Sequence, residues 1–250
     1  MNPTIPYGKN PVTGSTAELD DASIYYEIYG AGEPLLLLHG NNQSISAFIN
    51  QIGEFANRYK VIAVDTRGHG NSRDESDGPL TYELFADDMK LLLDDLNLQN
   101  VNILGWSDGG IAGLIMAMKY PEYVNKLAVM GANIFPAPDA LKDVVFRDVN
   151  ELIDDLKDKS DKKSVDQRRI YELVLNEPRL AFDDLKKIKA PVLVMAGQND
   201  VVTETHTRQI AENIPNSQLV IFKNASHFAP YYNAAEFNQA VLAFFNSQLQ

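Results

Sequence analysis

The stretch "GWSDGG", Gly105 to Gly110, sets a serine among close-spaced glycines and follows it with an aspartate. A Gly-x-Ser-x-Gly match alone says little, because roughly one chain of this length in ten contains one by chance. Its flanks give it weight. The apolar run "VNIL" precedes it and the helical pattern "GGIAGLIMAMKY" follows, which is the strand-turn-helix setting of a nucleophile elbow. A turn that sharp holds Ser107 in a strained backbone conformation and leaves no room for neighbouring Cβ atoms, so glycine at 105 and 109 has a mechanical reason. The hydroxyl is then expected at the carboxyl edge of a sheet.

Outward from the elbow, strand-like runs alternate with helical ones. "SIYYEIYG", "LLLLHG", "VIAVDT", "VNILGW", "KLAVMGA", "PVLVMAG" and "QLVIF" read as strands, several of them continuously apolar, as in a sheet covered on both faces. Phe48, Ile52, Phe55 and Tyr59 predict one helical stripe; Phe85, Met89, Leu92 and Leu96 predict another, with Thr81 as its cap. A last helix is expected from Ala234, with Asn233 and Glu236 as a capping-box-like pair and Phe237, Val241 and Phe244 on its buried side. The alternation predicts an α/β fold with a mostly parallel central sheet flanked by helices. Before the first run lies a Pro- and Gly-punctuated arm, "MNPTIPYGKNPVTGST".

One segment breaks the rhythm. From about Ala137 to Asp184 the chain is charged and helix-prone, with no strand until "PVLVMAG". It reads as a small helical cap, residues 137–184, inserted after the sixth sheet strand of a core formed by residues 1–136 and 185–250. Clefts in open sheets lie at the strands' carboxyl ends, where such a cap would shape a pocket; a solvated helical excursion guarding a sheet edge is the plainer alternative.

The 250 residues carry 34 acidic against 22 basic side chains, a formal charge of -12. That charge repels phosphate backbones and anionic lipid, so neither nucleic acid nor membrane is expected as a partner. Cysteine is absent, which excludes disulfides and a thiolate nucleophile and suits a reducing compartment. The start has no apolar h-region, and the longest apolar run, "IAGLIMAM", is too short to span a bilayer. A cytoplasmic protein is the expectation. Zinc, phosphate-loop and dinucleotide patterns are missing, so neither a cofactor nor a metal is implied.

A serine hydroxyl needs a base to take its proton and a third group to orient that base. Of four histidines, His39 and His69 sit in turns directly after strands and have a structural explanation in hydrogen bonds to turn backbone. His206 falls on a helical segment. His227, in "IFKNASHFAP", follows the last strand on a loop from which a ring can reach the elbow. Asp200, ending "VLVMAGQND", is the candidate orienting acid, and the order Ser107, Asp200, His227 is the one this architecture predicts. Asp139 competes as the acid, although its charged, helical context suits a helix start better. In "LLLLHGNN" the backbone N–H of Asn41, together with that of Asp108, can hold an oxyanion.

The motifs in this order, along nearly the whole chain, resemble the α/β-hydrolases. By that resemblance the turn "DTRGHGNS" is structural, with Asp65 and Arg67 fixing a loop near the site. Within the family, "GWSDGGIAGLIMAMKYPEYVNKLAVMGAN" is similar to the valacyclovir hydrolase (biphenyl hydrolase-like) esterases of α-amino acid esters. In those enzymes the aspartate after the nucleophile is implicated in recognising the substrate's amino group, and Asp108 stands at that position. The shorter, differently composed cap departs from theirs.

Physics gives Asp108 two readings. A carboxylate in the first turn of a helix gains roughly 0.3 to 1 kcal/mol from the dipole. Beside a developing oxyanion, however, it is repelled by about 3 kcal/mol at roughly 6 Å and an effective dielectric near 20. A substrate ammonium, a buried arginine or a turn of the side chain away from the site would each resolve the conflict. Asn42 and Trp106 join Asp108 as candidate substrate-binding residues, Trp106 chiefly by packing beside the pocket. The expected function is a serine hydrolase cleaving small carboxylic esters through an acyl-enzyme, acting on small molecules. Aminopeptidase or carbon-carbon bond hydrolysis on the same triad, and ligand sensing with little turnover, remain open.

Overall fold

The computed structural model describes residues 5–247; the ends of the expected core, 1–4 and 248–250, lie outside them. Among the described residues nine strands form one sheet: β1 (Gly14–Glu18), β2 (Ala22–Tyr29), β3 (Glu33–Leu38), β4 (Tyr59–Val64), β5 (Arg73–Asp74), β6 (Val101–Trp106), β7 (Val124–Met130), β8 (Val192–Asn199) and β9 (Ser217–Ser226). Their order is β1-β2-β4-β3-β6-β7-β8-β9, with β5 paired to β2. The β2 strand runs antiparallel to its neighbours, while every pairing from β4 to β9 is parallel. The α/β expectation holds.

The helices are α1 (Ile52–Phe55), α2 (Tyr82–Asp95), α3 (Asp108–Lys119), α4 (Asp143–Asp154), α5 (Lys162–Asn176), α6 (Phe182–Leu185), α7 (Glu204–Asn213), α8 (Ala229–Tyr232) and α9 (Ala234–Asn246). The period of two in the strands divides the core. Leu36, Leu38, Ile62, Val64, Ile103 and Leu127 pack on the face covered by α2, α3, α6 and α7; Leu35, Leu37, Val61, Ala63, Leu104 and Trp106 pack on the face covered by α1 and α9. Burial on both faces is what the continuously apolar strands require. Every residue of α3 from Asp108 to Ala117 is buried, consistent with a helix apolar on all sides.

Local expectations met different fates. Thr81 caps α2 by accepting from Leu84 N at 3.1 Å, and Phe85, Met89 and Leu92 are buried as predicted. Phe48, Ile52, Phe55 and Tyr59 are all buried, but not on one helix: they fall on a 3-10 turn (Ile45–Phe48), on α1 and on the first residue of β4. The buried Gln51 amide donates to Pro230 O and Asn238 Oδ1, long-range bonds that no periodicity reveals. The capping box at Asn233 does not form, because Asn233 ends α8, its N–H donating to Ala229 O, and has no side-chain cap bond. The arm supplies an unexpected edge strand, β1. Buried Glu27 secures the arm by accepting from the N–H groups of Gly8 and Asn10.

Between β7 and β8, the segment 137–184 carries α4 and α5. The β7 strand is the sixth of the eight along the main path of the sheet. None of α4 is buried, whereas α5 buries Ile170, Tyr171 and Leu173. Arg169 ties α5 to the core through Asp74 at 2.6 Å. The short α6 straddles residue 184 and packs on α3 and α7, on the core side of that boundary. No helix among the described residues is long and apolar enough to cross a membrane.

Candidate active site

Ser107 sits between β6 and α3 at φ 55° and ψ −117°, a left-handed conformation that a non-glycine residue adopts only where its surroundings impose it. A Cβ on Gly105 would strike the backbone of Gly109, and one on Gly109 would strike the carbonyl of Leu38. Glycine at both positions therefore lets α3 start against the β3 strand. The turn after β3 also comes close, since a Cβ at Gly40 would stand 3.1 Å from Ser107 Cβ.

His227 lies just beyond the end of β9. Its Nδ1 is 2.7 Å from Asp200 Oδ1, and Asp200 follows the last residue of β8, beside β9 in the sheet. Burial alone would raise the Asp200 carboxyl. The charge and hydrogen bond of His227, with the N–H groups of Val202 and Gly197, outweigh it and hold the group below the usual carboxylate range. An ionised acceptor on Nδ1 fixes the tautomer with Nε2 free. Trp106 locks the loop from the other side, its indole N–H donating to His227 O at 2.9 Å.

Ser107, Asp108, His227, Asn41 and Asn42 line one cavity of about 260 Å3 between the sheet edge and the helices α4 and α5. Its walls are otherwise mainly apolar, with Leu141, Val145, Leu152 and Val202 among them. Asp108 is only 5% exposed. Burial pushes its carboxyl up to about 6, against the lowering effects of the Asn41 amide, the Tyr82 hydroxyl and His227. Asn41 Nδ2 donates to Asp108 Oδ2 at 2.9 Å. Among the described residues neither Lys nor Arg lines the cavity. Of the three resolutions expected for Asp108, a buried arginine is thus not the one present.

The remaining candidates divide. Asn42 reaches the cavity wall, but its side chain joins α5, donating to the Tyr171 hydroxyl at 3.1 Å and accepting from Gln167 at 3.0 Å. Trp106 is buried and does not line the Ser107 cavity; it borders a separate open groove with Phe228, Tyr231 and Tyr232. Alternation along β6 explains this, since consecutive side chains leave a strand on opposite faces. Asp139 lies in an exposed turn, not at a helix start, for α4 begins at Asp143. His39 and His69 bond turn carbonyls, of Gly40 and Arg67, and burial lowers them to about 4 and about 3. His206 accepts from Ile134 N and is lowered by burial to about 4. Arg67 holds the turn after β4 to Asp88, Asp74 and Asp21. Among the described residues no group of three or more His, Asp or Glu side chains could hold a metal ion.

Three cavity residues escaped sequence reasoning. Tyr82, the first residue of the helix capped by Thr81, is not singled out by the sequence, yet its hydroxyl faces Asp108. Asn133 follows β7 and lines the cavity. Gly131, at φ 63°, leaves room for the His227 ring: a Cβ there would stand 2.7 Å from His227 Nδ1. The glycine in "VMGAN" was a visible signal, but which ring it admits was not.

Comparison with known proteins shows the family to which this fold belongs. The family model described as alpha/beta hydrolase fold matches residues 33–159, and the chain belongs to that family and is a hydrolase of it. The human serine hydrolase BPHL is 29% identical over 247 residues, covering 91% of this chain and 84% of its own. A 2-hydroxy-6-oxononadienedioate/2-hydroxy-6-oxononatrienedioate hydrolase of Paraburkholderia phymatum is 29% identical, covering 88% of this chain and 90% of its own. Among solved structures, a hydrolase from Pseudomonas aeruginosa superposes with a TM-score of 0.80 at 23% identity, over 95% of this chain and 100% of that one. The resemblance to the biphenyl hydrolase-like proteins thus extends over most of the chain.

Proposed function

We propose that this protein is a serine hydrolase that cleaves small carboxylic esters through an acyl-enzyme, with α-amino acid esters as preferred substrates. His227 Nε2 takes the proton of Ser107 Oγ as that oxygen attacks the ester carbonyl. The N–H groups of Asn41 and Asp108 receive the oxyanion. The tetrahedral intermediate collapses by breaking the bond to the alkoxy oxygen, and the imidazolium returns its proton to the leaving alcohol. Water, deprotonated by the same ring, then attacks the acyl-enzyme and releases the carboxylic acid and Ser107. Asp200 orients the ring and stabilises its cation. The segment 137–184 acts as a cap whose α4 and α5 close the pocket.

The observation that carries the substrate choice is the buried carboxylate of Asp108, in the same cavity as Ser107 and with no Lys or Arg beside it among the described residues. An α-ammonium group would supply the missing charge and offset the repulsion between that carboxylate and the oxyanion. A cavity of about 260 Å3 also favours small acyl groups, since drug-sized ligands occupy roughly 300 to 1,000 Å3.

Carbon-carbon bond hydrolysis on the same triad is supported by relatives such as the Paraburkholderia enzyme. A dienedioate carries two carboxylates, however, and this cavity offers it Asp108 and neither Lys nor Arg. Electrostatics favours the amine.

The test compares kcat/KM on two p-nitrophenyl esters, one with an α-amino group and one with its uncharged isostere, with Ser107→Ala as control. A preference above about tenfold for the aminoacyl ester, corresponding to about 1.4 kcal/mol, is expected. Equal rates would remove the amine assignment, and turnover that survives Ser107→Ala would remove the nucleophile.

A further inference from the structure

The side chain of Asn41 occupies an unusual junction. Its single amide nitrogen has two hydrogens, and both are used across the site: one bond goes to Asp108 Oδ2 and one to Ile170 O, each at 2.9 Å. Asp108 belongs to the first turn of α3 and Ile170 to the middle of α5. The same residue supplies, from its backbone, the N–H expected to receive the oxyanion. Within the turn, Gly40 N donates to Gln43 Oε1 and Gln43 N to Gly40 O, bonds that close it locally, and the Asn42 side chain adds links to α5.

We infer that the Asn41 side chain is a positioning residue, which sets the oxyanion-binding N–H of its own backbone by bridging the Asp108 carboxylate to the carbonyl of Ile170 on α5. This inference rests on the serine-hydrolase reading above. Oxyanion donors work only within a narrow range of about 2.7 to 3.1 Å from the charge they stabilise, so a turn anchored at two fixed points outside itself serves better than one held by its own bonds. The bridge also holds the Asp108 carboxylate by one oxygen. When α5 is seated, Asn41 is braced from above and from the side. Asn42 makes the neighbouring links to α5, through Tyr171 and Gln167, but its side chain does not touch Asp108.

A role in positioning the oxyanion donor predicts a defect in kcat even for a substrate without an amine. The experiment measures kcat and KM of Asn41→Ala on the uncharged p-nitrophenyl ester, with the melting temperature of each variant and the affinity for a small alkylboronic acid, which forms a tetrahedral adduct on a nucleophilic serine. Gln167→Ala, which cuts a link between α5 and the same turn without touching Asn41, is the comparison. Asn41→Ala is expected to lose at least tenfold in kcat with KM changed less than threefold, to bind the boronic acid correspondingly more weakly, and to melt near the parent, while Gln167→Ala stays within twofold in kcat. A folded Asn41→Ala whose kcat and boronic acid affinity lie within twofold of the parent overturns the inference. So does an equal kcat loss in Gln167→Ala, which would make the effect one of seating α5. If Asn41→Ala does not fold, Asn41→Ser is measured against the same criteria. Turnover independent of Ser107 would instead overturn the reading on which the inference stands.

Discussion

The indole N–H of Trp106 donates to the backbone carbonyl of His227 at 2.9 Å, so the residue directly before the candidate nucleophile holds the loop that carries its candidate base. The Trp106 ring is also tilted against that of His227, with centroids 6.3 Å apart. The loop that carries His227 is thereby tied to the end of β6 by this bond. Trp106→Phe keeps much of the packing and removes the donor. A stability loss of about 1 kcal/mol is expected, since the part-buried carbonyl loses its partner. A several-fold fall in kcat should accompany it, measured by denaturant unfolding and ester hydrolysis; unchanged kcat would show that the loop is held without this bond.

Asp200→Asn would replace an acceptor-only group beside His227 Nδ1 with an amide that can stabilise the wrong tautomer. Turnover is expected to fall by roughly 10³ to 10⁴, the scale of such losses in triads of this kind. A loss below tenfold in steady-state kcat would point to another orienting acid.

Gly131→Ala puts a Cβ at φ 63°, against the His227 ring. Non-glycine residues in that region cost on the order of 1 to 3 kcal/mol. The ring must move as well, so kcat should fall more than stability does. Activity and melting curves falling in proportion would show strain alone.

Asp108 links pH to both stability and selectivity. Its carboxyl is raised by burial to about 6 in the folded chain from 3.8, so folding favours the protonated form. The stability this contributes is fully present below about pH 4 and is lost as pH rises through about 6, an upper bound of about 3 kcal/mol. Asp108→Asn is therefore expected to stabilise the protein relative to the parent at pH 7.5 and to give little gain at pH 4, read from paired unfolding curves. An equal effect at both values would show that the charge is not what burial penalises. Between pH 5 and 7 the ratio of aminoacyl to uncharged ester turnover should rise as Asp108 ionises; a flat ratio would detach Asp108 from the amine.

Much was already written in the chain. The elbow glycines follow from local sterics and the apolar strands from continuous runs, which a sequence displays directly, while the proposed order of Ser107, Asp200 and His227 was read from the resemblance to this architecture. The cap of α2 at Thr81 is equally local. What the sequence left undecided depended on bonds between residues far apart. The stripe from Phe48 to Tyr59 is split between a 3-10 turn, α1 and the start of β4, with buried Gln51 bonded to Pro230 and Asn238 far along the chain, and Asn233 does not cap a helix because α8 ends on it.

The site divides along the same line. Residue type and spacing determined that Asp108 would carry a charge at the start of α3, and that this charge conflicts with an oxyanion. Only the tertiary structure decided what surrounds that charge: Asn41 and Tyr82 converge on the carboxylate from outside α3, no Lys or Arg among the described residues lines the cavity, and Gly131 makes room for the imidazole. Local sterics act between neighbours in the chain and can be read from it, whereas burial and long-range hydrogen bonds arise only when the sheet order brings β3, β6, β7 and β8 side by side.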